Sequence, residues 1–220
     1  MSVFGSLIDQ TEVISILKDA VEASRMVDNK TQSMTNTWLF TGPPGSGRSN
    51  AAIAFAAALV CKDGGCSKCN DCMSTIIGTH ADVELIKTAG LSIKIDEVRE
   101  LISRASWAPS VANYRVVVME DADRLTESAA NALLKVIEEP GLRTIWLLCA
   151  PTLTDVLPTI RSRCRHLSLR TPSTKAIAKF EGPVYLRFGR PAWPIFTKEE
   201  DFVLGKAQIL SKGSDVSIFA

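Results

Sequence analysis

The sequence predicts an α/β fold in which helices cover both faces of a parallel β-sheet. Segments typical of strands alternate with segments typical of helices. The strand-like runs, such as 116–119 and 145–150, are apolar throughout, whereas a strand with one face in water alternates apolar and polar residues. A glycine-rich loop directly follows the first strand-like run, at the strand end where this architecture places its ligands.

The predicted elements follow one another along the chain. Helices are indicated by apolar residues at three- and four-residue spacing, or by nearly all-apolar composition in a segment packed under the sheet. Thr126 is a candidate N-cap for the last long helix, and Pro140 is expected to close it. The predicted helices are 7–24, 49–60, 94–107 and 126–140, and the predicted strands are 37–40, 82–87, 114–121, 144–150 and 165–169.

Composition indicates an ordinary globular protein. The chain has 220 residues, 46% of them hydrophobic and 22% charged, with a net charge of +1. Without a global basic field, any contact with nucleic acid has to be local or shared with partners. The longest apolar run, 51–60, is too short to span a bilayer, and the N-terminus lacks the layout of a signal peptide. We therefore expect a cytoplasmic protein with no membrane partner.

The glycine-rich loop resembles a phosphate-binding loop with one substitution. The pattern G-x-x-x-x-G-K-[ST] is filled by Gly42, Gly47 and Ser49, but Arg48 replaces the lysine. Backbone N–H groups of such a loop bind phosphate oxygens, and its hydroxyl residue binds Mg²⁺. The alternative is a strand-to-helix turn that binds nothing. The predicted ATP/Mg site comprises Gly42, Pro43, Pro44, Gly45, Ser46, Gly47, Arg48 and Ser49.

An acidic pair follows the apolar run 116–119 at the end of a predicted strand. Phosphate-loop ATPases need an Asp for Mg²⁺ and a water-activating acid at such a strand end. Here Glu120 precedes Asp121, which is the reverse of the usual Asp-Glu order, so each carboxylate differs by one methylene from the expected length. Because phosphoryl transfer depends on positioning, we expect a degenerate site. On their own, the two acids favour a solvated strand end, and together with the phosphate loop they favour a nucleotide site.

Four of the six cysteines are clustered. Cys61, Cys66, Cys69 and Cys72 have the spacing C-x4-C-x2-C-x2-C. Four thiolates satisfy tetrahedral zinc with no open position, which is typical of a structural site. An iron–sulfur cluster and reduced surface thiols are the alternatives. Cys149, in an apolar run, is predicted to be a packed thiol.

These features, in this order, resemble the clamp-loader branch of the AAA+ ATPases, and within it the delta-prime subunits of bacterial DNA polymerase III. The resemblance covers residues 1–172. It rests on the loop 42–49, the cysteine segment 61–72, "VVVMEDADRLTESAANALLKVIEEP" at 116–140 and "LPTIRSRCRHL" at 157–167. It implies an AAA+ phosphate-loop core with an inserted zinc module.

The resemblance also assigns a role to one arginine. In that family the arginine of the Ser-Arg-Cys motif reaches the nucleotide of a neighbouring subunit, and the matching residue is Arg163. A guanidinium there stabilises charge on the transferred phosphoryl group. Without the resemblance, Arg161, Arg163 and Arg165 form only a solvated basic cluster.

Residues 173–220 have a different character. Glycine, proline and aromatic residues are spread through them, and "GPVYLRFGRP" resembles transketolase-like proteins. The family's helical lid and collar domains are not recognised here. We predict that 1–172 forms the AAA+ core and that 173–220 is a transketolase-like fragment or fusion tail.

The sequence therefore predicts a clamp-loader subunit of the delta-prime type with weak or absent ATP hydrolysis of its own. The implied partners are other clamp-loader subunits in a hetero-oligomeric ring, with the sliding clamp and primer-template DNA reached through the assembly. Two alternatives stay open. One is an active ATPase in which Arg48 replaces lysine, and the other is a fragment of a thiamine diphosphate-dependent enzyme.

Overall fold

The structure, a computed structural model, describes residues 2–25, 35–88, 90–141, 143–173 and 176–177. All of these lie within one compact unit, Met1–Glu181. Of the predicted tail, 173–220, the structure describes only residues 173, 176 and 177. The division of the tail from the core therefore stays a prediction.

A single parallel sheet forms the centre of the described residues. All the predicted strands form, with small shifts at their ends. They are β1 (Thr37–Thr41), β2 (Val83–Ile86), β3 (Arg115–Met119), β4 (Thr144–Ala150) and β5 (Arg165–Ser168). The five strands are hydrogen-bonded in the order β2-β3-β4-β1-β5, and every neighbouring pair is parallel. The predicted α/β class is confirmed.

The four predicted helices form as well, and two further helices appear. The six α-helices of the described residues are α1 (Thr11–Ala23), α2 (Arg48–Val60), α3 (Asn70–Ile76), α4 (Ile95–Ala105), α5 (Glu127–Glu138) and α6 (Pro158–Arg161). The sequence did not predict α3, which lies in the cysteine segment. Among the described residues, no helix has the length and apolar character needed to cross a bilayer.

Helices pack on both faces of the sheet, because successive side chains of a buried strand point to opposite faces. On β1, Trp38 and Phe40 face α2, where the Trp38 and Phe55 rings pack edge to face with centroids 5.1 Å apart. Leu39, between them, joins a second core with Trp146 and the helices α4 and α5. This two-sided burial explains why the central strands β3 and β4 carry apolar residues on both faces.

The start of α5 matches the prediction. Thr126 Oγ1 accepts a hydrogen bond from the backbone N–H of Ala129 at 3.3 Å, and the helix ends at Glu138, two residues before Pro140. The N-cap satisfies one of the backbone donors that a helix start leaves unpaired.

A buried carboxylate fixes the loop between α4 and β3. Asp82, 1% exposed, accepts backbone hydrogen bonds from Ser110 at 2.6 Å, Val111 at 2.7 Å and Ala112 at 2.8 Å. Burial alone raises the pKa of this carboxyl group, but the three backbone donors and the nearby charge of His80 outweigh it and lower the pKa. No sequence pattern indicates this anchor.

Candidate functional site

The phosphate-binding motif forms the connection between β1 and α2. The loop starts after Thr41, and α2 begins at Arg48. Gly45 and Gly47 have φ values of 86° and 82°, a left-handed conformation that favours glycine. A Cβ atom on Gly42 would lie 2.8 Å from the Leu169 carbonyl oxygen and would also contact Ser46 Oγ. The loop therefore has the strand–loop–helix setting of a phosphate site.

The residues of the loop differ in exposure. Pro43, Pro44 and Gly45 are exposed, Ser46 is buried, and Gly47, Arg48 and Ser49 are half-buried. Exposed loop atoms at a helix N-terminus suit an anionic ligand.

Arg48 folds back onto the loop. Its Nη1 atom donates a hydrogen bond to the Gly42 carbonyl oxygen at 2.7 Å. Its Nε atom is buried and has no hydrogen-bond partner in the described part of the chain. The guanidinium is bulkier and more rigid than a lysine ammonium group, so its charge is held beside the loop backbone.

The acidic pair lies at the same edge of the sheet and is held by neighbouring residues. Lys87 Nζ, just after β2, lies 3.0 Å from Glu120 Oε1. The backbone N–H of Thr88 donates to Asp121 Oδ2 at 3.4 Å. Lys87 was not predicted from the sequence, although the parallel register that pairs Ile86 with Met119 places the next residues side by side.

The loop and the acidic pair flank the end of β4. The thiol of Cys149 is buried on this strand, as predicted, and burial raises its pKa to about 12. The charge of Arg48 lowers that pKa, and the charges of Glu120 and Asp121 raise it. The structure thus brings the two halves of the predicted nucleotide site around one strand end.

The four clustered cysteines converge on one point. Their Sγ atoms all lie within 4.8 Å of one another, with Cys61 Sγ 3.8 Å from Cys66 Sγ and 3.6 Å from Cys69 Sγ. Thiolates bound at about 2.3 Å in a tetrahedron lie about 3.8 Å apart. The cluster can therefore hold a metal ion.

Backbone donors favour the thiolate at Cys61, whereas burial raises the pKa of the Cys72 thiol. The N–H of Cys72 donates to Cys69 Sγ at 3.4 Å, which makes Cys69 the N-cap of α3. Burial raises the pKa of the Cys61 thiol, but the backbone N–H groups of Cys66, Gly65 and Asp63 lower it to about 6. Metal ligation requires the thiolate form.

Arg163 lies exposed just after α6 and is held at both terminal nitrogens. Its Nη2 atom lies 2.6 Å from Glu138 Oε1, at the end of α5. Its Nη1 atom donates to the Thr159 carbonyl oxygen at 2.8 Å and to Ser162 Oγ at 3.3 Å. The next residue, Cys164, packs against the core, and burial raises its pKa to about 12. The exposed Arg163 side chain is thus held by these contacts, and the residue next to it is packed against the core.

Arg161, Arg163 and Arg165 have different surroundings, although they are close in sequence. Arg161 Nη1 donates to the Leu153 carbonyl oxygen at 3.3 Å. The Arg165 guanidinium lies 4.8 Å from the centroid of the buried Trp38 ring. With Arg163 paired to Glu138, the three do not form one solvated cluster.

Comparison with known proteins identifies the family. The model of the family described as "DNA polymerase III, delta subunit" matches residues 14–173. The chain belongs to this family. The match covers the sheet, the phosphate loop, the cysteine cluster and Arg163.

Individual relatives include two kinds of DNA polymerase III subunit. The chain is 32% identical over 171 residues to the delta' subunit of Bacillus subtilis, covering 76% of this chain and 50% of that protein. It is 34% identical over 147 residues to delta' of Pseudomonas aeruginosa, covering 64% and 45%. It is 32% identical over 172 residues to gamma/tau of Mycobacterium bovis, covering 76% and 28%. The chain spans half or less of the length of these relatives.

Solved structures confirm the AAA+ type of fold. A DNA polymerase III gamma subunit-related protein of Thermotoga maritima superposes with a TM-score of 0.53 at 22% identity, covering 73% of this chain and 46% of that one. The R170A variant of RuvB from the same organism gives a TM-score of 0.52 at 18% identity, covering 78% and 48%. At these identities the likeness concerns the fold alone.

Proposed function

We propose that the chain acts as a clamp-loader subunit of DNA polymerase III, of the delta-prime type, and completes the ATP site of a neighbouring subunit. The observation that carries the proposal is the exposed Arg163, anchored by Glu138 and by the packed Cys164 in a member of this family. An arginine supplied across a subunit boundary stabilises the charge of the transferred phosphoryl group. The relatives include both delta' and gamma/tau subunits, and the altered phosphate loop favours the delta-prime type.

We further propose that the chain's own nucleotide site is degenerate. Arg48 is engaged by the Gly42 carbonyl oxygen, and Glu120 is paired with Lys87. Asp121, in the position of the water-activating acid, is one methylene too short for that role. Because catalysis of phosphoryl transfer depends on positioning and charge, we expect weak ATP/Mg binding and little turnover.

The proposed partners are the other clamp-loader subunits of a hetero-oligomeric ring, which binds the sliding clamp and primer-template DNA. A net charge of +1 suits a subunit that shares its DNA contact with others. The role would place the chain in the cytoplasm, with the bacterial chromosome.

The proposed metal is a structural zinc ion held by Cys61, Cys66, Cys69 and Cys72. The donor set is all sulfur, and the spacing of the Sγ atoms suits tetrahedral zinc. Bound there, zinc would have no open coordination position and would cross-link the end of α2 to the start of α3. Its role would be structural and not catalytic.

Turnover by the isolated chain tests the degenerate site. Gly47→Val is the inactive reference, because valine at a φ of 82° distorts the loop. If the site is degenerate, the unmodified chain should release phosphate from ATP and Mg²⁺ no faster than this variant. ATP should shift the thermal unfolding temperature little in either protein. Robust hydrolysis that Gly47→Val abolishes would instead support an active ATPase in which Arg48 replaces lysine.

A further inference from the structure

Glu138 and Arg163 come from the two segments that carry the family resemblance, and the fold brings them into contact. Glu138 is the last residue of α5, and Arg163 follows α6. Their side chains form an ion pair with Glu138 Oε1 2.6 Å from Arg163 Nη2. The pair links "NALLKVIEEP" to "SRC" across 25 residues of sequence.

The position of Glu138 is unfavourable for a carboxylate by itself. The carboxyl end of a helix carries a partial negative charge, which disfavours acidic residues in the last turn. Glu138 is nevertheless followed by a second acid, Glu139, as the C-cap. Residues that are locally unfavourable occur most often at functional sites, where another interaction offsets their cost. Here the ion pair with Arg163 offsets the unfavourable position of Glu138 at the helix end.

The contacts of the Arg163 guanidinium fix its orientation and leave donors free. Among the described residues, its acceptors are the Thr159 carbonyl oxygen, Ser162 Oγ and Glu138 Oε1. They engage both terminal nitrogens, whereas a guanidinium carries five N–H donors. The remaining donors can meet a further anion.

The ion pair is suited to hold the arginine without trapping it. The side chains of Arg163 and Glu138 are 40% and 47% exposed, and ion pairs at such exposure are weak because water screens them. A polyphosphate carries more negative charge than one carboxylate, so it can attract the guanidinium away from Glu138. The packing of Ile137 and Ile160 in one core keeps the two helix ends at a fixed separation.

We propose that Glu138 is a positioning residue for Arg163, an inference that rests on the proposed function. Glu138 holds the guanidinium in the orientation from which it meets the nucleotide of the neighbouring subunit. Glu138 does not contact that nucleotide itself.

The first test measures the tether in the isolated full-length chain. Phenylglyoxal modifies accessible guanidinium groups, and peptide mass spectrometry gives the rate at Arg163. Glu138→Gln should raise this rate about two- to fivefold, because the variant loses the stabilisation that an exposed ion pair provides. Glu139→Gln is the matched control and should leave it unchanged. Equal rates in all three proteins would overturn the proposed tether.

The second test measures ATP hydrolysis after the full-length chain is mixed with the other DNA polymerase III clamp-loader subunits of its organism. Arg163→Ala should lower kcat on the order of 10³-fold. Glu138→Gln should lower kcat about two- to fivefold with KM for ATP unchanged, because positioning acts on the transition state. Glu138→Lys, which repels Arg163, should lower kcat further, and Glu139→Gln should match the unmodified chain.

The outcomes separate the inference from the function on which it rests. If Arg163→Ala abolishes hydrolysis but Glu138→Gln matches Glu139→Gln, the positioning role is wrong and the finger stands. If Arg163→Ala has no effect, the proposed function is wrong and the inference fails with it. A rise in kcat for Glu138→Gln would show that the pair restrains the arginine, which also contradicts positioning.

Discussion

Lys87 Nζ lies 3.0 Å from Glu120 Oε1, so the residue after β2 pairs with the residue after β3. In a working phosphate-loop site the corresponding acid is free to hold Mg²⁺. Here Lys87, whose side chain is 63% exposed, lies beside that acid. The pairing adds a third departure to Arg48 and the reversed acids.

Restoring the usual residues should recover part of the hydrolytic site. The triple variant Arg48→Lys, Glu120→Asp, Asp121→Glu should release phosphate faster than the unmodified chain. Adding Lys87→Met should increase the rate again, since the lysine no longer competes with Mg²⁺ for the carboxylate. Adding Lys135→Met, on the exposed face of α5, is the control. If the Lys87 and Lys135 changes have equal effects, Lys87 plays no part in the site.

Asp82 should contribute strongly to stability. Asp82→Asn places an amide N–H₂ group against buried backbone donors, and we expect a loss of about 3 kcal/mol in the free energy of unfolding. Asp19→Asn, on the exposed face of α1, should change it by less than about 0.5 kcal/mol. Urea titration at neutral pH measures both.

The same substitution has a defined pH dependence. Because the pKa of Asp82 is lowered in the folded state, its stabilising contribution is complete above the unfolded value of about 3.9. The contribution is lost as the pH falls through the folded-state value. The difference between the unmodified chain and Asp82→Asn should therefore shrink below about pH 4. A difference that stays constant with pH would contradict an ionised Asp82.

The cysteine cluster should bind about one zinc ion per chain. Metal analysis of protein prepared without chelator measures this, and a chelator should lower the thermal unfolding temperature because binding energy is folding energy. Cys69→Ser should remove the metal, whereas Cys164→Ser, outside the cluster, should retain it. Protein without bound metal, or with iron and inorganic sulfide, would overturn the zinc assignment.

The core should tolerate removal of the predicted tail. The described chain after β5 is held by Gln10 Nε2, which donates to the Arg170 carbonyl oxygen at 2.6 Å, and by Asp9 Oδ2, which accepts from the Ser173 N–H at 3.0 Å. We propose that ending the chain after Ser173 leaves the thermal unfolding temperature nearly unchanged. Ending it after Leu167 should lower the temperature strongly, because β5 loses its end. A large drop for the first truncation would contradict a separate tail.

The elements predicted from sequence are those that local pattern determines. The apolar runs of β3 and β4, the spacing within α4 and the cap at Thr126 each depend on neighbours in sequence. The helix α3 was missed because its seven residues, Asn70–Ile76, include the clustered Cys72 and make too few turns to show a period. Its start depends on Cys69, whose sulfur caps the helix.

The candidate site was predicted in its parts but not in its pairings. The phosphate loop, the acids and the four cysteines are motifs of short spacing, so their members are visible in sequence. The contacts of Glu120 with Lys87 and of Arg163 with Glu138 join distant segments. The first follows from the parallel register once the strand order is known, and the second depends on the packing of α5 against α6.

The most direct test of the central claim compares two variants of the full-length chain in the reconstituted clamp-loader assembly. One is Arg163→Ala, which removes the arginine offered to the neighbour, and the other is Gly47→Val, which distorts the chain's own loop. ATP hydrolysis should fall by orders of magnitude with Arg163→Ala and stay unchanged with Gly47→Val. If Gly47→Val abolishes hydrolysis while Arg163→Ala does not, the chain is itself the ATPase and the account is contradicted.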